Sequence, residues 1–207
     1  MRTFVFSCFF ALAAISSHAQ GSLTYQTTLG VGKEKYIFRC DPSLPLGSLY
    51  PGIKLEGPGF TAELWYAAGE GAAESSLMPV PGSQVGFRSG TTAGLIQGKP
   101  KLDIPGTYGG DKVTLQLRVW NNQGGSVTTW DQAGDKGLSN LFTHELAGVR
   151  RDGGVSLGSG SIANGLGYFV ICVPEPSVVA LGLLGLGSVL MARRRRGIRA
   201  GHDSEQI

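Results

Sequence analysis

Between Lys112 and Trp120 the chain alternates without interruption. Val113, Leu115, Leu117 and Val119 fall on one phase, and Thr114, Gln116, Arg118 and Trp120 on the other. Successive side chains of a strand point to opposite faces, so a period of two predicts a half-buried strand with the second set outward. Phe60–Ala67 repeats the pattern, with Phe60, Ala62, Leu64 and Tyr66 on one face and Thr61, Glu63 and Trp65 on the other. Leu23–Leu29 alternates in the same way and opens the series. Lys101–Ile104 leads into the Pro105-Gly106 turn, and shorter apolar stretches predict strands at 36–40, 83–88, 94–97, 141–146 and 155–157. The last two are joined through Asp152-Gly153-Gly154, a hairpin-turn sequence. Tyr168–Val173 is apolar on both phases, which predicts a central strand.

Breakers separate these stretches. Residues 41–59 read as loop, because prolines and glycines recur through them. Gly69–Ser76, Pro105-Gly106, Asn121–Gly125 and Asn164-Gly165 read as turns or loops, and Val127–Ala133 predicts a single helical turn. Strands at intervals of roughly ten residues with glycine-rich turns define an all-β class. The architecture they predict is an antiparallel β-sandwich, with jelly-roll and immunoglobulin-like topologies both open.

Neither end of the chain alternates. Met1–Ala19 has a basic start at Arg2, an apolar run from Phe4 to Ile15, and small residues in Ser17-His18-Ala19. That is the layout of a secretory signal peptide cut after Ala19. The apolar run is too short for a transmembrane helix. Cys8 lies inside the run rather than after it, which excludes a lipoprotein signal.

The other end reads Val173-Pro174-Glu175-Pro176, then sixteen uncharged residues from Ser177 to Ala192, then Arg193, Arg194, Arg195 and Arg196. At about 1.5 Å per residue the uncharged run reaches roughly 24 Å as a helix. A hydrocarbon core is about 30 Å thick, so the run spans it only with bilayer thinning or a snorkelling Arg193. Pro174, Glu175 and Pro176 block an upstream extension. Four arginines hold their end cytoplasmic and place residues 20–173 outside. Two other readings are a plain permanent anchor and a core helix with a basic tail. The second lacks the polar face a core helix carries.

These three parts, in this order and spacing, resemble the PEP-CTERM sorting signal of bacterial envelope proteins. Pro174, Glu175 and Pro176 match its motif, 177–192 its transmembrane helix and Arg193–Arg196 its basic stop. The resemblance implies recognition by an exosortase, a membrane-embedded transpeptidase-like enzyme, with cleavage near the motif. It also implies exopolysaccharide association. The chain departs from the pattern in the eleven residues Gly197–Ile207 that follow the arginines. The parts expected are therefore a signal at 1–19, an ectodomain at 20–173 and a sorting segment at 174–207. The ectodomain is similar in composition to short glycine-rich β-domains that accompany such tails, through Leu115–Trp120 and Gly137–Phe142. No activity transfers with that likeness.

Charge changes the picture in one respect. The full chain carries +3, yet residues 20–173 hold twelve Lys and Arg against twelve Asp and Glu, a net of zero. No basic surface argues for nucleic acid. Within 20–173 the cysteines are Cys40 and Cys172. In an oxidising envelope they form either a disulfide tying the start of the domain to its final strand or two unpaired buried thiols. The bridge would contribute up to about 5 kcal/mol by loop entropy.

Candidate chemistry is thin, and the expectation is a non-enzymatic protein without cofactor or metal. His144 is the one histidine of 20–173 and is expected on an exposed strand position without a Gly-x-Ser-x-Gly elbow. Glu63, or Asp103 with Asp111, supplies carboxylates for a glycosidase pair or simply solvated faces. Asp131–Asp135 suggests a calcium loop but lacks the ligand spacing of an EF-hand. Gly158–Ser161 has no lysine to cradle a phosphate. Trp65 and Trp120 share the outward phase. Exposed together they would stack on sugar rings; otherwise they form a second buried face under another sheet or a loop.

Overall fold

The computed structural model describes residues 20–28, 34–39 and 52–171. Twelve strands account for its regular structure, with four single-turn 3-10 segments and no α-helix among the described residues. The class is all-β.

The largest sheet grows from the two most regular alternations. β4 (Phe60–Ala68) and β7 (Lys112–Asn121) pair antiparallel over their whole length, from Phe60 opposite Asn121 to Ala68 opposite Val113. β5 (Met78–Pro79) flanks β4. Proline cannot donate to a ladder, and Pro79 sits on that outer strand. The far side of β7 is shared: β8 (Lys136–Leu138) covers one end and β9 (Phe142–Glu145) the other.

Three smaller groups complete the domain. β1 (Gly21–Tyr25) pairs antiparallel with β6 (Lys99–Ile104). β10 (Gly148–Val149) and β11 (Val155–Ser156) form a hairpin. β12 (Phe169–Ile171), β2 (Ile37–Arg39) and β3 (Ile53–Lys54) form a third sheet in that order. The apolar face of β4 and β7 supplies Ala62, Leu64, Tyr66, Val113, Leu115, Leu117 and Val119 to one continuous core. Leu23, Tyr25, Ile37, Ile104, Phe142, Ile162 and Ile171 from the other elements join it.

Several expectations are corrected. Residues 41–59 were to be loop throughout, but Ile53 and Lys54 pair with β2 through backbone groups. The Asp152-Gly153-Gly154 turn closes a hairpin between β10 and β11; the strand at 142–145 belongs to β7 instead. Val127–Ala133 forms no helical turn, and the one 3-10 segment nearby is Gln123–Gly125, where Asn122 caps Gly124 and Gly125. β12 is not central: it lies at the end of its sheet and runs parallel to β2. Its apolar residues meet the core at Phe169 and Ile171 rather than two covering layers.

Candidate functional site

The outward phase of β7 is not a solvent face. Thr114, Gln116, Arg118 and Trp120 are all buried, and Trp120 is 0% exposed. The covering comes from the segment after β7, whose Val127 carbonyl accepts from Trp120 Nε1 at 3.1 Å. The segment after β4 covers the other end: Thr114 Oγ1 donates to the Gly69 carbonyl at 2.8 Å and accepts from Ala72 N–H at 2.9 Å. Trp120 therefore does not stand beside Trp65 as an open platform for sugar stacking; at Trp120 the buried-face alternative holds.

Arg118 organises this covered face. Its guanidinium lies 3.7 Å from the Trp65 ring centroid and 4.7 Å from that of Trp130. Nε donates to Gln116 Oε1 at 2.9 Å, and Nη2 stands 3.7 Å from Glu74 Oε1. Burial lowers the Arg118 pKa, while Glu74, Asp131 and Glu63 oppose the shift. Lys136 places its ammonium 4.1 Å from the Trp130 ring centroid. Guanidinium and ammonium groups on indole faces are held by the ring quadrupole, and more strongly where water is excluded. Arg118 was not singled out from the sequence; the signal was an arginine on the same strand phase as a tryptophan.

The remaining candidates are engaged structurally. Glu63 accepts from Trp65 Nε1 at 2.8 Å and from Gln84 Nε2 at 2.9 Å. Asp103 pairs with Lys101 at 3.0 Å, whereas Asp111 pairs with Arg151 at 3.3 Å and accepts from Tyr108 N–H at 2.9 Å. The two aspartates thus have separate partners. His144 is buried, not exposed, because its strand turns that side chain inward opposite Val113. Burial lowers its pKa, against a backbone hydrogen bond with Gly160 and the charge of Glu145, and Nε2 has no partner. In the Asp131–Asp135 loop the carbonyls of Trp130 and Asp131 accept from Lys136 Nζ at 3.1 and 3.2 Å. Lys136 Nζ thus engages these two loop carbonyls. No metal-holding cluster occurs among the described residues. Gly158–Ser161 is a packed turn, in which Ser161 caps the following 3-10 segment.

Ala19, Cys40, Cys172, Pro174, Glu175, Pro176 and Arg193–Arg196 lie outside the described residues. So does the apolar run 177–192, and no helix among the described residues is long and apolar enough to cross a membrane. β12 ends at Ile171, two residues before Val173. What the structure defines is thus an all-β domain whose last strand leads directly into the C-terminal segment. Residues 173–196 match the family model of the PEP-CTERM protein-sorting motif. The chain is a carrier of that signal, which marks an exported, envelope-associated protein sorted by an exosortase. No curated protein and no solved structure matches the chain.

Proposed function

We propose that this chain is a non-enzymatic β-domain delivered to the cell envelope or extracellular matrix. Residues 1–19 direct export and are removed after Ala19. The helix 177–192 then holds the domain at the membrane, with Arg193–Arg196 on the cytoplasmic side. An exosortase-type enzyme cuts near Pro174-Glu175-Pro176 and releases the domain. In this reading the domain is a sandwich, its smaller sheets closing over the apolar face of the five-stranded one.

The observation that carries the reading is the sorting motif at 173–196, set directly after the last strand. The engagement of Glu63, Asp103, Asp111 and His144 in packing and pairing supports a role without catalysis. The alternative of a polysaccharide-binding module loses the Trp65–Trp120 platform on which it rested, and its remaining support is what the sorting signal implies. Replacement of Pro174, Glu175 and Pro176 by alanine tests the proposal. Full-length protein should accumulate in the membrane; unchanged processing would contradict it.

A further inference from the structure

We propose that the outer face of the β12–β2–β3 sheet lies against the lipid headgroups of the membrane while the domain is still tethered. Ile37, Phe169 and Ile171 turn into the core. Successive side chains of a strand alternate, so Phe38 and Val170, which stand opposite each other, turn outward and are half-buried. Lys54, opposite Phe38 on β3, shares their face. Tyr36 and Tyr168 lie two residues before Phe38 and Val170 and continue the same phases. Tyr36 meets Phe38 edge-on with 6.4 Å between ring centroids, and Tyr168 is 65% exposed. Three aromatic rings and a valine thus share a face that stays open to solvent.

The chemistry suits the zone between water and hydrocarbon. Tyrosine presents an apolar ring with a polar tip, and it is enriched at that level of a bilayer. Lys54 Nζ lies 3.6 Å from the Tyr36 ring centroid, and Lys35 Nζ 4.9 Å from that of Tyr168. Both ammonium groups therefore stand beside rings, where they meet lipid phosphates as the rings enter the headgroup layer. Glu34 and Glu56 lie within two residues of these lysines, so ring burial rather than net charge carries the contact.

Chain length selects this end of the domain. β12 ends at Ile171 and the apolar run starts at Ser177, so five residues separate them. Fully extended, that stretch reaches about 20 Å. A domain of this size is roughly 40 Å across. The tether is too short for the domain to turn its far side to the bilayer, and the sheet that holds β12 stays nearest. The inference rests on the reading of 177–192 as a membrane helix.

The test reconstitutes the full chain into vesicles of phosphatidylethanolamine and phosphatidylglycerol. One set carries a lipid with a photoreactive diazirine in its headgroup; a second carries the diazirine near the acyl terminus. After photolysis, proteolysis and mass spectrometry locate the adducts. Headgroup adducts should concentrate on 36–39, Lys54 and 168–170, and acyl adducts on 177–192. Acyl adducts on 177–192 without headgroup adducts on the sheet would overturn the docking and leave the anchor standing. Absence of acyl adducts would overturn the anchor, and the docking with it. Headgroup adducts gathered instead on Val149 and Val155, which are exposed on another sheet, would overturn the choice of face. So would a chemical crosslink joining the face to a second copy of the chain. Tyr168→Ser removes the most exposed of the rings and should lower the adduct yield on 36–39 severalfold, with acyl adducts unchanged. An unaltered yield on 36–39 would overturn the part given to that ring.

Discussion

Arg118 stands 3.7 Å from the centroid of the Trp65 ring, on the face of β4 and β7 that their alternation assigns to solvent. Two segments of chain have closed over that face, so a strand phase that reads as exterior is a second interior. The Arg118 side chain is 8% exposed, and its cation is held among Trp65, Trp130, Gln116 and Glu74. Arg118→Ala removes the stem as well as the charge and leaves Gln116 Oε1 without its donor. The expected cost is about 2–3 kcal/mol in urea unfolding, with red-shifted tryptophan emission. Arg118→Lys should recover part of the loss, because an ammonium keeps the charge without the planar fork. An alanine variant as stable as the parent would show that the layer contributes nothing.

His144 sets a pH dependence. Its folded pKa lies below the usual 6.5 because burial disfavours the imidazolium. Below about pH 6.5 the unfolded chain therefore binds a proton that the folded chain resists. This contribution to stability is complete above pH 6.5 and falls as pH drops toward the folded value. His144→Gln should reduce the stability lost between about pH 7 and pH 5, measured by chemical unfolding at each pH. An identical loss in parent and variant would remove His144 from the account.

Two glycines separate packing from mere turn composition. A Cβ on Gly109 would lie 2.1 Å from the Gly148 carbonyl oxygen, a backbone atom that cannot swing aside. A Cβ on Gly134 would meet nothing within 4 Å. Gly109→Ala should cost about 3 kcal/mol or more, while Gly134→Ala stays within about 0.5 kcal/mol. Thermal unfolding of the pair checks this. Equal midpoints would contradict the close approach of the Tyr108–Asp111 turn to β10.

The long strands were legible because Val113–Val119 and Phe60–Tyr66 alternate strictly, and alternation is a local property. What covers them was not. Gln116 and Arg118 carry no mark that distinguishes a solvated side chain from one roofed by a loop some ten residues later. The placement of β12 was missed for a related reason. Phe169, Val170 and Ile171 are apolar in succession, which suits a strand covered on both faces and equally an end strand with one residue half-exposed. β3, β5 and β10 have two residues each, too few to show any period. The sorting motif was legible because three chemically distinct parts follow one another within 24 residues, at 173–196.

The central claim is that this domain reaches its destination by losing its C-terminal segment. The intact mass of the mature protein, recovered from the envelope or the medium, tests it most directly. The account predicts a chain that begins at Gln20, ends near Pro174-Glu175-Pro176 and lacks Arg193–Arg196. A mature mass that still includes those four arginines would contradict it.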